Sequence, residues 1–336
     1  MAIRLIEIFL PQEENVEWVK KLLLKQETLG IWHEKVEDNQ ILIRVLTPLE
    51  TTETILDLLE THFATLHGFR VVLLPVEASL PRPQEPKKVD RKTAPESPKG
   101  DLRISREELY QNISKTSQLS SIYVLLVIMS SIVAAIGILQ GSVAVIIGAM
   151  VIAPLLGPNV ALSLATTLGD VNLAMRAMKT NLVGLAVALS LAFTMGLFLK
   201  VDPLAPEVAS RTNVGMADVA LALASGTAGA LSFTMGVPSA LIGVMVAVAL
   251  LPQLVCFGML LGAGHIESAF GALLLILVNI ICVNLSGVTT FLAQGIRPLT
   301  WWETERAKRA TAIAIALWTM LLAILVAVIL VSKRLW

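Results

Sequence analysis

Gly141-Ser-Val-Ala-Val-Ile-Ile-Gly-Ala-Met-Val-Ile-Ala-Pro-Leu-Leu-Gly-Pro158 has a partner later in the chain, Gly236-Val-Pro-Ser-Ala-Leu-Ile-Gly-Val-Met-Val-Ala-Val-Ala-Leu-Leu-Pro-Gln253. The offset is 95 residues and needs no gap. It pairs Gly141 with Gly236, Gly148 with Gly243, Met150 with Met245, Leu155 with Leu250 and Gly169 with Gly264. Nine identities fall within 141–169, where apolar segments match by chance at roughly one position in ten. An internal repeat is therefore expected, with Gly141, Gly148, Gly236 and Gly243 as its structural glycines.

The surroundings of both copies are apolar and uncharged. Positions 116–169, 219–266, 268–296 and 310–332 contain no Asp, Glu, Lys or Arg. A soluble helix must turn one face to water and rarely stays uncharged for so long. Runs of about 20 apolar residues match a hydrocarbon core of roughly 30 Å. Charged residues are only 15% of the 336 and mean hydropathy is +0.74. The spacing predicts seven segments, at 121–140, 142–168, 180–199, 216–235, 237–263, 268–294 and 310–331. The fold class is thus an α-helical polytopic membrane protein. Three spans per unit force the two units to run oppositely across the bilayer, an inverted 3+3 repeat with a seventh helix appended. Re-entrant hairpins remain an alternative for the two proline-containing segments.

Residues 1–77 read differently. Ile3 to Leu10 is strand-like and stops at Pro11, Glu14 to Lys25 has helical spacing, and Gly30 to Val36 and Gln40 to Leu46 are strands joined by a turn at Glu37-Asp38-Asn39. Thr51 to Thr65 is helical, and Phe69 to Val76 is a final strand. The order βαββαβ is the ferredoxin-like arrangement, so a small soluble α+β domain is expected. Ile3 to Leu10 is too short for a cleavable signal and carries Arg4 and Glu7. His33, His62 and His67 lack metal-ligand spacing, and no metal or cofactor is expected.

Residues 78–101 mix five prolines with Lys87, Lys88, Arg91, Lys92 and Lys99, the composition of a disordered basic tether. Ser105-Arg-Glu-Glu108 is a capping-box pattern opening a helix within 102–120. With Leu109 and Ile113 on one face, this helix is expected to lie at the membrane surface. Basic residues cluster here and at Arg297, Arg306, Lys308 and Arg309. The excess of Lys and Arg in cytoplasmic loops puts both clusters, and the N-terminal domain, in the cytoplasm. The expected layout is completed by repeat 1 at 121–214, repeat 2 at 215–298 and a surface segment with the last helix at 299–336.

The candidate site follows from backbone chemistry. Proline removes an amide donor and clashes with the carbonyl one turn back, and in lipid the freed groups need internal partners. Pro154, Gly157, Pro158 and Asn159 interrupt one repeat, and Pro252 and Gln253 lie at the equivalent place in the other. Paired interruptions point to a site near the bilayer midplane, where helix ends offer partial charges to a solute or ion. Asn181, Asn279 and Asn284 are costly in lipid without partners, so they face the interior. They are assigned to the same pathway, with helix–helix bonding as the plainer role for any one of them.

Cys256 and Cys282 sit in apolar segments and read as small hydrophobes. No nucleotide loop, HExxH motif or serine–histidine–aspartate set is present, so no catalytic residue and no enzyme activity are expected. Zero net charge gives no footprint for nucleic acid.

Ile146 to Pro158, preceded by Ala134-Ala-Ile-Gly-Ile-Leu139, resembles the signature of a bacterial hydrophobic membrane family known as domain of unknown function 389. The resemblance covers about 120–265. It implies a multi-pass bacterial inner-membrane protein and supplies no activity. The expectation from the residues is a channel or secondary transporter for a small solute or ion, embedded in the lipid bilayer, forming a homo-oligomer and regulated by its cytoplasmic domain. The alternative is a non-transporting sensor or scaffold whose soluble domain binds a ligand or partner.

Overall fold

The computed structural model describes residues 3–11, 16–36, 40–76, 79, 104–236, 250–297 and 301–335. The turn at 37–39, the tether at 80–101, Gly243 and the side chains of Arg306, Lys308 and Arg309 lie outside the described residues. Two compact units are present, residues 1–109 and 110–336.

In the first unit, β1 (Ile3–Pro11), α1 (Val16–Leu23), β2 (Gly30–Val36), β3 (Gln40–Pro48), α2 (Leu49–Phe63) and β4 (Arg70–Val76) follow in order. The sheet order is β2-β3-β1-β4 and every neighbouring pair is antiparallel. This is the order that the βαββαβ pattern demands. Strand alternation puts Ile6, Ile8 and Leu10 on one face, and the register sets them against Val45, Ile43 and Ile41. Val19 and Leu23 of α1 and Ile55, Leu59 and Phe63 of α2 close that core. The other face carries an ion-pair row: Arg44 bonds Glu7 at 2.8 Å and Glu34 at 2.7 Å. His62 stacks edge-on against Trp18 at 5.5 Å and bonds the Leu58 carbonyl at 2.8 Å.

Helix α3 (Arg106–Thr116) begins as its capping pattern requires, the Ser105 hydroxyl accepting from the Glu108 amide at 3.3 Å. The Glu108 carboxylate reaches Arg4 at 3.0 Å. Leu109 and Ile113 are buried.

The second unit contains α4 (Ser121–Leu139), α5 (Val143–Ile152), α6 (Leu156–Leu168), α7 (Val171–Phe198), α8 (Pro206–Ala209), α9 (Met216–Thr234), α10 (Leu251–Gly262), α11 (Ile266–Ala293) and α12 (Trp301–Leu335). Among the described residues, five helices are long and apolar enough to cross a membrane, and six if the bent pair α5–α6 counts as one span. The chain is a multi-pass membrane protein by this measure. The expected start of the third segment at 180 is too late by nine residues. Asp170 caps α7, its carboxylate accepting from the Leu173 amide at 3.0 Å, so the helix runs through Arg176 and Lys179 before it becomes uncharged.

The 95-residue offset reappears in the helix bounds. It carries α4 onto α9 and α7 onto α11 with both ends matching, and α6 onto α10 with one residue to spare. Gly141 and Gly236 both take positive φ, 64° and 69°, as do Gly169 and Gly264. These are left-handed turn positions that only glycine adopts cheaply. A Cβ built at Gly148 meets nothing within 4 Å among the described residues.

Packing is reciprocal between the two sets. Helix α6 packs on α11, and α10 packs on α7. A Cβ at Gly196 would fall 2.2 Å from the Met259 carbonyl oxygen, so α7 and α10 touch backbone to backbone. Contacts also fix which ends lie together. Tyr110 donates to Asp170 at 2.7 Å and Thr311 donates to the Thr166 carbonyl at 3.1 Å, which gathers α3, the α6–α7 turn and the start of the α12 span at one end. Burial, then the bond to Asp170, raises the pKa of Tyr110. At the other end the Thr212 carbonyl lies against Gly271.

Candidate functional site

Pro154 sits in the break between α5 and α6, which bends the pair by 51°. Ala153 before it is extended, with ψ at 122°, as a residue preceding proline prefers. Pro158 lies in the first turn of α6, where no intrahelical amide bond is lost. Gly157 is buried because the Thr116 carbonyl passes over it, and a Cβ would stand 2.7 Å from that oxygen. Pro252 lies in the first turn of α10. The segment before Leu250 lies outside the described residues, so no second break is described there.

The break delivers Asn159 into a buried polar cluster. Its side-chain amide donates to the Leu155 carbonyl at 2.9 Å and to Asn181 Oδ1 at 3.1 Å. Asn284 Nδ2 donates to the Ile280 carbonyl at 2.9 Å and to Asn159 Oδ1 at 3.4 Å. The Ser163 hydroxyl lies 3.3 Å from Asn284 Oδ1 and 3.2 Å from the Asn159 carbonyl. Helices α6, α7 and α11 are thus tied together by amides. A Cβ at Gly287 would meet Ser163 Oγ at 2.6 Å, which shows how closely α6 and α11 approach.

Asn279 and Gln253 belong elsewhere. They line a cavity of about 180 Å³ together with Met150, Ser210, Arg211, Asp218 and Ser225. Asn279 stands midway along the 28-residue α11, about 20 Å from either end at 1.5 Å per residue. Arg211 and Asp218 belong to the connection between α7 and α9 and the first turn of α9. The cavity therefore joins charged residues at one end of the bundle to amides near its middle. Arg211 is held by the Glu207 carboxylate at 2.7 Å and by the Glu207 carbonyl. Asp218 accepts from the Gly215 amide at 2.7 Å.

The sequence-selected residues therefore form two groups. Asn159, Asn181 and Asn284 make one bonded cluster, while Gln253 and Asn279 floor a cavity. Asn284 lies five residues, about 7.5 Å, beyond Asn279 along α11, on a different side of that helix.

A family model described as a domain of unknown function, DUF389, matches residues 150–285. An uncharacterized protein of Methanocaldococcus jannaschii is 37% identical over 98% of this chain and 99% of its own length. The chain belongs to the DUF389 family. That relative is archaeal, so membership does not by itself place this DUF389 protein in a bacterium. No solved structure matches the chain.

Ser163, Arg211 and Asp218 are among the site residues of this DUF389 protein that were not selected from sequence. Ser163 carried a signal, because it lies one helical turn after Asn159 and shares its face. Arg211 and Asp218 read as ordinary residues of a connection and a helix start. Only the folding of 199–215 toward α9 brings them to the cavity.

Proposed function

We propose that this DUF389 protein passes a small polar solute or ion across a membrane. The observation that carries the reading is the cavity that descends from Arg211 and Asp218 to Asn279 and Gln253. Buried amides with room beside them suit a hydrated guest. The volume of about 180 Å³ exceeds the roughly 30 Å³ share of one water and falls short of the roughly 300 Å³ at which drug-sized sites begin. An ion with part of its hydration shell fits, as does a metabolite of a few heavy atoms.

The matching helix bounds at offset 95 support two units of three spans each, the second inverted relative to the first, with α12 appended. On this reading the soluble unit, the α6–α7 turn and the start of α12 face the cytoplasm. The 199–215 connection and the cavity mouth face the opposite side. The Asn159–Asn181–Asn284 cluster closes the path below the cavity.

The test is solute flux in liposomes containing the intact protein, with Asn279→Leu and Gln253→Leu alongside. Flux in the parent chain and its loss in both variants is the expected result. Folded protein that moves neither ions nor small metabolites would end the transport reading, and ligand binding confined to residues 3–76 would replace it with a sensor.

A further inference from the structure

The 95-residue offset maps the cavity wall onto repeat 1. Asp218, Ser225, Gln253 and Asn279 correspond to Tyr123, Ser130, Pro158 and Gly184. The first of these positions differs most: where Asp218 lines the cavity, Tyr123 is a buried aromatic side chain. Its hydroxyl donates to the Thr180 carbonyl at 3.2 Å. A Cβ built on Gly184 would stand 2.3 Å from the Tyr123 hydroxyl oxygen. Tyr123 is 4% exposed and Ser130 is fully buried. One half of the repeat pair thus lines a polar cavity with these positions, while in the other Tyr123 stands against Gly184 and Ser130 is buried.

We propose that Tyr123 is the gate on the second half of the pathway, and that its withdrawal from Gly184 opens a cavity equivalent to the one at Asp218, reached from the end of the bundle where the α6–α7 turn lies. This rests on the transport reading and names the residue that regulates access to its site.

The geometry gives the gate a handle. Tyr123 lies in the first turn of α4, where its amide donates to the Ser120 hydroxyl at 3.1 Å. Three residues earlier the Ser117 carbonyl accepts from the Thr180 hydroxyl at 2.8 Å, on the residue that receives the Tyr123 bond. Thr116 covers Gly157 at the proline break. A shift of the α3–α4 corner therefore moves Tyr123, the break and the residue before Asn181 together. The corner follows α3 directly, so any movement of that helix is passed to the gate.

The experiment is side-specific labelling with a membrane-impermeant maleimide in the intact protein in oriented vesicles. The parent chain, with its buried Cys256 and Cys282, gives the background. Ser225→Cys reports the open cavity and Ser130→Cys the shut one. With Tyr123 intact, Ser225→Cys is expected to react from the 199–215 side and Ser130→Cys from neither. Tyr123→Ala should make Ser130→Cys reactive from the α6–α7 side. Gly184→Ala should do the same by pushing an intact ring away, and Tyr123→Phe should leave it protected. If Ser130→Cys stays unreactive in both opening variants while Ser225→Cys still labels, Tyr123 is packing and the gate is refuted. An unreactive Ser225→Cys refutes the cavity on which the comparison depends. Opening by labelling without flux of any solute would keep the gate and remove the transport reading.

Discussion

The amide cluster makes a quantitative demand on stability. Replacing Asn159 by Leu removes the donor to Asn181 Oδ1 and the acceptor for Asn284 Nδ2. Asn284 keeps the Ile280 carbonyl as a partner. A buried polar group left without its partner costs about 1–3 kcal/mol. Hydrogen bonds between membrane helices average about 0.6 kcal/mol and reach about 1.7. Asn159→Leu is therefore expected to destabilise the protein by about 1–3 kcal/mol, and Asn181→Leu by a similar amount. The informative quantity is the double variant. Since both single changes break one shared bond, the pair should be less destabilising than their sum, by about 0.6–1.7 kcal/mol. Reversible unfolding in mixed micelles, followed by circular dichroism, measures all four corners of the cycle. Additivity within about 0.3 kcal/mol would mean that the two amides do not act on each other, and the cluster as described would be wrong.

Other outcomes are equally direct. Gly196→Leu and Gly258→Leu force side chains into the α7–α10 contact, where a Cβ already meets Met259 or Ala192, and overpacking of this kind costs about 1–3 kcal/mol or more; lost thermal stability in detergent checks it. Gly141→Ala and Gly236→Ala should each cost about 1–2 kcal/mol through their left-handed backbone, whereas Gly148→Ala, mid-helix and unobstructed, should be neutral or stabilising by up to about 1 kcal/mol. Unfolding midpoints for the three variants decide that contrast. In the first unit, burial raises the Asp57 carboxyl to about 6, although the Arg106 guanidinium at 3.2 Å opposes the shift. The folded unit thus holds a proton that the unfolded chain, with a pKa near 3.9, has released. Stability from this group is present below about pH 4 and is lost as pH rises through about 6. Hydrogen exchange of β1 amides in the intact protein should show that loss, and Asp57→Asn should flatten it.

Much of this architecture is legible in residue order. Period-two alternation at Ile6, Ile8 and Leu10 and helical spacing at Ile55, Leu59 and Phe63 define the core of the first unit, because one face of each element must be buried. Pro154 announces its bend, because its missing amide cannot be replaced locally. Asparagines in uncharged segments announce an interior position. Their grouping is less legible: Asn279 and Asn284 lie five residues apart yet serve different environments, since five residues turn a helix about 500° at 3.6 per turn. The start of α7 was obscured because Arg176 and Lys179 look like a span boundary, while the capping aspartate at 170 marks the true one. The open half of the site needed the folded chain, because Arg211 and Asp218 acquire meaning only beside Asn279.

The exchange of partners between the two repeats has a consequence for how such a chain is built. Helix α6 belongs to the first repeat and lies on α11 of the second, while α10 of the second lies on α7 of the first. Each half contributes a long helix on which a shorter helix of the other half rests. Cutting the chain within 199–215 should yield two fragments that are each insoluble alone and competent when produced together. A one-repeat ancestor with this layout would have needed to pair head to tail with a copy of itself, trading segments, before a single gene encoded both.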